Sequence, residues 1–190
     1  GGNTVKFVNT ENYEVTEFTD NRIGFEKIQE SKSKNQWYVA TRWAVGLYDY
    51  ETREWNTSIS ITSQQDGISI TDLKVLPDES KAYVTVWGGN YLENQTHGYG
   101  WVYSIDLVGG KVKLIPIDGN VWNLETIPDS RWVYVSADWP KPKNTNNIQV
   151  IDTQTDTVVG SIDLSKLAAP IGADFTSVVD LQIDPLNPRF

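Results

Sequence analysis

The sequence predicts an all-β fold made of one antiparallel sheet motif used repeatedly, and three observations predict it. Short runs rich in Val, Ile, Tyr, Trp and Thr alternate with Asp, Asn, Gly and Pro along nearly the whole chain, which is the chemistry of strands and tight turns. Helical periodicity is almost missing. The best helical stretch runs from Leu164 to Ala169, stops at Pro170, and is a single turn at most. Finally, the chain resembles itself at a fixed interval.

Three segments carry the repeat: Ile28–Val39, ending Trp37-Tyr38-Val39; Leu73–Val84, ending Ala82-Tyr83-Val84; and Leu124–Val135, ending Val133-Tyr134-Val135. Tyr38, Tyr83 and Tyr134 recur at spacings of 45 and 51 residues. A fourth copy begins at Leu181-Gln182-Ile183-Asp184-Pro185 and runs out at Phe190. A second element follows each full copy, at Val45–Asp49, Trp101–Asp106 and Ile148–Asp152, and after a turn comes another alternating strand such as Thr157–Ile162. Each repeat therefore reads as four strands, a to d. Four antiparallel strands recurring every ~40–50 residues are the signature of a β-propeller blade.

Taken in order, residues 1–20 are the outer strands c and d of a partial blade, Val5–Thr10 and Tyr13–Phe18. Full blades follow at 25–62, 70–118 and 121–164, and 178–190 holds the first strand of another. The a–b turns at Pro77-Asp78 and Pro128-Asp129 use proline to preset φ and the carboxylate to hold nearby amides. The c–d turns open on Asp49, Asp106 and Asp152, with Asn9 in the partial blade, for the same reason. The expectation is about three full blades plus partial blades at both ends of one propeller domain. With fifteen strands, against about 28 for a ring of seven four-stranded blades, the chain reads as part of a longer polypeptide or as one half of a propeller that a second chain completes. Methionine is absent, so Gly1 is not an intact translation start.

Composition narrows the chemistry. Lys and Arg number 16 against 25 Asp and Glu, a formal charge of −9, and no basic cluster or glycine-rich phosphate loop is visible, so nucleic acid is not the expected partner. Without cysteine there is no disulfide, thiolate metal site or cysteine nucleophile. The single histidine, His97, rules out a metal centre built from several imidazoles of this chain. No apolar run approaches the ~18 residues of a membrane span. No cofactor is expected and no residue is assigned a catalytic or metal-binding role.

The segments Ala82-Tyr83-Val84-Thr85, Val133-Tyr134-Val135-Ser136 and Ile148–Val159 resemble the YVTN β-propeller repeat of archaeal and bacterial surface-layer proteins, related to the propellers of amine dehydrogenase heavy chains and lactonase-like proteins. The resemblance implies a cell-surface, extracellular or periplasmic location. It implies little about activity, because a propeller hosts many.

Candidate binding residues cluster where strand b leads into strand c. Trp43, Trp87 and Trp139 stand there in successive blades, a long insert after Trp87 carries Tyr91, His97 and Tyr99, and Trp122 near the start of an a strand belongs on the same face. Loops on a rigid scaffold are where function concentrates. These aromatics form either a rim for a glycan, peptide or partner domain, or packing between blades that each pose the same steric problem. His97 lacks the flanking context of a hydrolase nucleophile and reads as a solvated loop residue. Asp72 and Asp180, with Asn123 between them in the series, either line a cation site or hold backbone amides where strand a begins. Asn56-Thr57-Ser58 and Asn94-Gln95-Thr96 fit the glycosylation sequon, as often as chance gives in a chain so rich in Asn, Ser and Thr.

The expected function is a non-catalytic extracellular or cell-envelope propeller module for scaffold, adhesion or protein and glycan binding. The alternative is a propeller subunit of a periplasmic oxidoreductase, or a lactonase-like hydrolase.

Overall fold

The computed structural model describes residues 2–61, 69–87, 100–138, 146–164, 166 and 182. The chain forms two compact units, Gly1–Thr62 and Ser63–Phe190. The first holds β1 (Thr4–Val8), β2 (Val15–Thr19), β3 (Lys27–Glu30), β4 (Trp37–Ala40), β5 (Ala44–Asp49) and β6 (Glu54–Ser60). The second holds β7 (Ser69–Val75), β8 (Lys81–Trp87), β9 (Gly100–Asp106), β10 (Val112–Pro116), β11 (Asn120–Thr126), β12 (Trp132–Asp138), β13 (Asn146–Asp152) and β14 (Thr157–Asp163). Apart from Gln182, the further strand expected at 178–190 lies outside the described residues, as does most of 164–169.

Pairing follows chain order. The sheets β3–β6, β7–β10 and β11–β14 are each four-stranded, and β1 and β2 make a two-stranded sheet. Every pairing between these strands is antiparallel. Among the described residues no strand pairs with the second edge of β1.

The c–d turns show why the sheet motif repeats. In each, the first Asx oxygen accepts two successive backbone amides. Asn9 takes those of Glu11 and Asn12, Asp49 those of Glu51 and Thr52, Asp106 those of Val108 and Gly109, and Asp152 those of Gln154 and Thr155. The fourth residue beyond that Asx then has positive φ: Tyr13 at 59°, Arg53 at 60°, Gly110 at 69° and Asp156 at 50°. A left-handed residue thus closes each of these turns before the chain enters the next strand. The two Pro-Asp turns also end on a left-handed residue, Glu79 and Ser130, whose amides reach the carbonyls of Leu76 and Ile127.

In the first unit the core is aromatic. Ile23, Phe25, Trp37, Val39 and Tyr48 are buried together, with Val5, Phe18, Ile28, Tyr50 and Trp55 packed against them. Phe18 of β2 meets Trp37 of β4 edge-on at 5.1 Å, and Tyr50 stacks on Trp37 at 4.6 Å. Beneath this core Asp20 is 3% exposed. Its carboxylate is held by Arg22 at 2.7 and 3.0 Å and by the Tyr48 hydroxyl at 2.5 Å. The Arg22 hydrogen bond holds the Asp20 pKa far below the usual carboxylate range against the cost of burial, with Tyr48 assisting. Burial first, then the Asp20 contact, push Tyr48 up to about 12.

In the second unit the sheets β7–β10 and β11–β14 bury Leu76, Tyr83, Val102, Ile115, Ile117, Val121, Leu124, Val133, Val135, Ala137 and Ile151 between them. Polar links cross the same seam. Asp72 accepts the amide of Leu124 at 2.8 Å, and Lys74 pairs with Glu125 at 3.0 Å. Asp156 accepts from Lys81 at 2.7 Å, Tyr83 at 2.6 Å and Ser104 at 2.9 Å. Burial and then Asp156 raise the Tyr83 pKa well above that of an ordinary phenol, so Tyr83 acts here as a donor.

Candidate functional site

Each sheet of the second unit has two ends. The b–c links, 88–99 and 139–145, leave from the end where β8 stops and β9 begins, and the d–a link enters β11 there. Two glycines fit this end because no side chain would. A Cβ at Gly100 would stand 2.6 Å from the Val121 nitrogen, and one at Gly119, whose φ is +127°, 2.6 Å from the Asp138 carbonyl. Gln149 ties the d–a link down, donating to the Asp118 carbonyl at 2.8 Å and accepting its amide at 3.3 Å. Asn120 donates to the Asp138 carboxylate at 3.1 Å.

Among the described residues three buried polar atoms at this end have no hydrogen-bond partner: Asn120 Oδ1, Trp101 Nε1 and Trp122 Nε1. A buried donor or acceptor left unpaired costs about 1–3 kcal/mol, so such atoms mark places where water or a ligand completes the bonding. Trp122 is half-buried in β11, and its indole N–H has no partner among the described residues. The backbone of Trp87 ends β8, and its side chain lies outside the described residues, as do Tyr91, Asn94, His97, Tyr99, Trp139 and Asp180.

In the first unit the b–c link is short. Thr41 Oγ1 accepts the amides of Trp43 at 3.3 Å and Ala44 at 3.1 Å, and Thr41 N reaches the Ala44 carbonyl. The Trp43 ring is 44% exposed, with the Arg42 guanidinium 5.0 Å from its centroid. A tryptophan serving only as core would be buried, so Trp43 is presented to solvent. Asn56 is exposed and is the extra residue of a β-bulge: Leu47 pairs with Thr57 and Tyr48 with Trp55, which leaves Asn56 unopposed.

Asp72 resolves toward backbone. Its carboxylate takes the amides of Leu73 and Leu124, both at 2.8 Å. Among the described residues no three His, Cys, Asp or Glu side chains come together to hold a metal ion. No helix among them is long and apolar enough to cross a membrane.

Sequence reasoning passed over the opposite end of the second unit. There the Pro-Asp turns at 77–80 and 128–131 meet the c–d turn at 152–155 around a cleft of about 260 Å³. The repeated Pro-Asp-x-x pattern was its only visible signal, and that pattern reads first as turn chemistry.

No protein-family model and no curated protein matches the chain. Solved structures do. Hydrazine synthase of Kuenenia stuttgartiensis is 20% identical and matches over 85% of this chain and 43% of its own, with a TM-score of 0.59. A luciferin-regenerating enzyme is 13% identical over 85% of this chain and 53% of its own, at 0.60. The β-propeller domain of Cps50 from Myceliophteria thermophila is 11% identical over 84% of this chain and 48% of its own, at 0.55. At these identities the likeness is one of fold. With the four-stranded antiparallel sheets it establishes the class: the chain has a β-propeller fold, an all-β array of repeated blades. It spans about half the length of the structures it matches.

Proposed function

We propose that the chain is a non-catalytic β-propeller module of the cell envelope or extracellular space, working as a scaffold or adhesion element through its b–c links. The observation that carries this reading is Trp43, a large exposed indole on a Thr41-closed turn with the Arg42 guanidinium beside its ring. Aromatic and arginine side chains in that state are the usual anchors of protein and glycan contacts. The YVTN-like segments around Tyr83, Tyr134 and Ile148 support the cell-surface setting.

The partner that completes the fold is the rest of a longer polypeptide or a second chain. What supports this is β1, which offers one edge of Thr4–Val8 with no strand against it among the described residues. Of the two sequons, Asn94 lies outside the described residues, and Asn56 offers an exposed bulge of β6 for glycosylation.

The test is spectroscopic and microscopic. The purified protein is expected to be colourless and metal-free by elemental analysis, and to form ordered arrays or bind envelope polysaccharide, with Trp43→Ala weakening either by about tenfold or more. A haem or quinone absorption band, a stoichiometric metal, or turnover of a lactone would overturn this reading in favour of an enzyme subunit.

A further inference from the structure

The cleft at the turn end of the second unit has the composition of a site rather than of a gap. It is lined by Leu76, Asp78, Ser80, Lys81, Asp129, Ser130, Arg131, Thr153 and Gln154, from both neighbouring sheets. Its walls are fixed from behind. Asp78 N donates to Ser130 Oγ at 3.3 Å, Thr153 Oγ1 to the Ser130 carbonyl at 2.7 Å, and Lys81 to the Thr153 carbonyl at 2.6 Å. Both cations pair with carboxylates that do not line the cleft, Lys81 with Asp156 at 2.7 Å and Arg131 with Asp152 at 2.8 Å.

What remains unspent decides the ligand. Asp78 uses Oδ1 on the Ser80 amide and hydroxyl, and Asp129 uses Oδ1 on the Arg131 amide. The Oδ2 of each has no protein partner among the described residues. Among the described residues Arg131 makes one side-chain hydrogen bond, through Nη2, and lies over the Trp132 ring at 4.8 Å, the Gln154 amide group has no partner, and Ser130 Oγ keeps its proton to donate. The cleft therefore shows acceptors and donors side by side on planar groups, with Leu76 as its apolar part. An anion meets two free carboxylate oxygens here. A hydroxyl group, which donates and accepts at one atom, satisfies both kinds of group at once. The volume lies just under the ~300 Å³ at which sites for drug-sized molecules begin, which suits one ring rather than a chain of them.

We infer that this cleft is a subsite for a single neutral sugar ring, free or as one residue of a glycan, gripped by vicinal hydroxyls between Asp78, Asp129, Arg131 and Gln154. It lies at the opposite end of the sheets from the b–c links, so it stands or falls separately from the binding face proposed above.

The experiment is an amide chemical-shift titration of the whole chain with glucose, galactose, mannose and N-acetylglucosamine, alongside inorganic phosphate and an arginine-containing tripeptide. Saturable shifts confined to residues 76–81, 129–131 and 153–155, with one of the sugars and at a dissociation constant on the order of millimolar, are expected. They should be insensitive to added salt, because the ligand is uncharged. Asp129→Asn, which keeps the turn-closing oxygen, should weaken the sugar by about tenfold. Gln154→Ala, on an exposed side chain with no structural bond, should weaken it without changing stability. Saturation by phosphate or by the tripeptide in place of a sugar, shifts that map elsewhere, or sugar binding unchanged in both variants would each overturn the inference. Shifts with a free sugar but none with the same sugar inside an oligosaccharide would identify a monosaccharide site and remove the glycan as its source.

Discussion

Tyr13, Arg53, Gly110 and Asp156 occupy one position of one turn, yet only one of them is glycine. A side chain in the left-handed region costs roughly 1–2 kcal/mol relative to glycine, so each non-glycine here is either tolerated or retained for something. Nothing lies within 4 Å of a Cβ built on Gly110, which isolates the backbone effect. Gly110→Ala should therefore lower stability by about 1 kcal/mol, and Tyr13→Gly, on a ring 79% exposed, should raise it by a few tenths. Urea unfolding followed by tryptophan fluorescence reads both signs.

The titrating residues add a pH dependence of defined direction. Asp20 has a depressed pKa, so its stabilisation is whole above the unfolded carboxylate value near 3.9 and fades as pH falls below it. Tyr48 is raised to about 12, so its contribution is whole below the unfolded phenol value near 10 and is lost as pH climbs from there towards 12. Urea midpoints measured across pH should hold level in between and decline at both limits. Tyr48→Phe should remove the alkaline decline contributed by the first unit. A decline that begins near neutrality would contradict the geometry around Asp20.

At the scale of the element, the c–d turns were readable and the bulges were not. Asn9, Asp49, Asp106 and Asp152 bond amides two and three residues away, so the information is local. Pro77-Asp78 and Pro128-Asp129 were readable for the same reason. The first a–b link has no such signature and closes instead through Ser31, whose amide reaches the Gln36 carbonyl and whose hydroxyl accepts from Lys34. The bulges at Asn56 and Val159 depend on the register with a neighbouring strand, which no short window contains. Gly46 shows what the first bulge demands. A Cβ there would sit 2.0 Å from the Thr57 carbonyl oxygen, so Gly46→Ala must push β6 away from β5. A loss of about 2 kcal/mol or more is expected, with faster exchange of the β6 amides. An unchanged midpoint would mean the strand relaxes freely.

At the scale of the whole molecule, the repeat was readable as a propeller, while the contacts that join one sheet to the next were not. Asp156 reads in sequence as an ordinary turn residue. Its partners Lys81, Tyr83 and Ser104 are 75, 73 and 52 residues away. It accepts left-handed strain at φ 50° where glycine would fit, and spends its carboxylate on three donors across the seam. Asp156→Gly relieves the strain and removes that acceptor. If strain dominated, the variant would be more stable. The network predicts the reverse, a loss of about 2–4 kcal/mol, visible as a lower urea midpoint. Trp43 and Trp122 were legible as candidates because large aromatics recur beside loops, each within its own unit. The cleft between Asp78 and Asp129 was hidden, because two turns far apart in sequence must meet to make it.

The turn that closes each outer hairpin has a further consequence, one of timing. Everything that shapes it lies within five residues, so it can form on the microsecond scale of isolated hairpins. The bonds from Asp72 to Leu124 and from Asp156 to Lys81 must wait for closure of loops more than fifty residues long. The chain is thus built to order its rim before its seams, and a nascent chain would present finished hairpins with their inner faces still unmatched until the next repeat arrives.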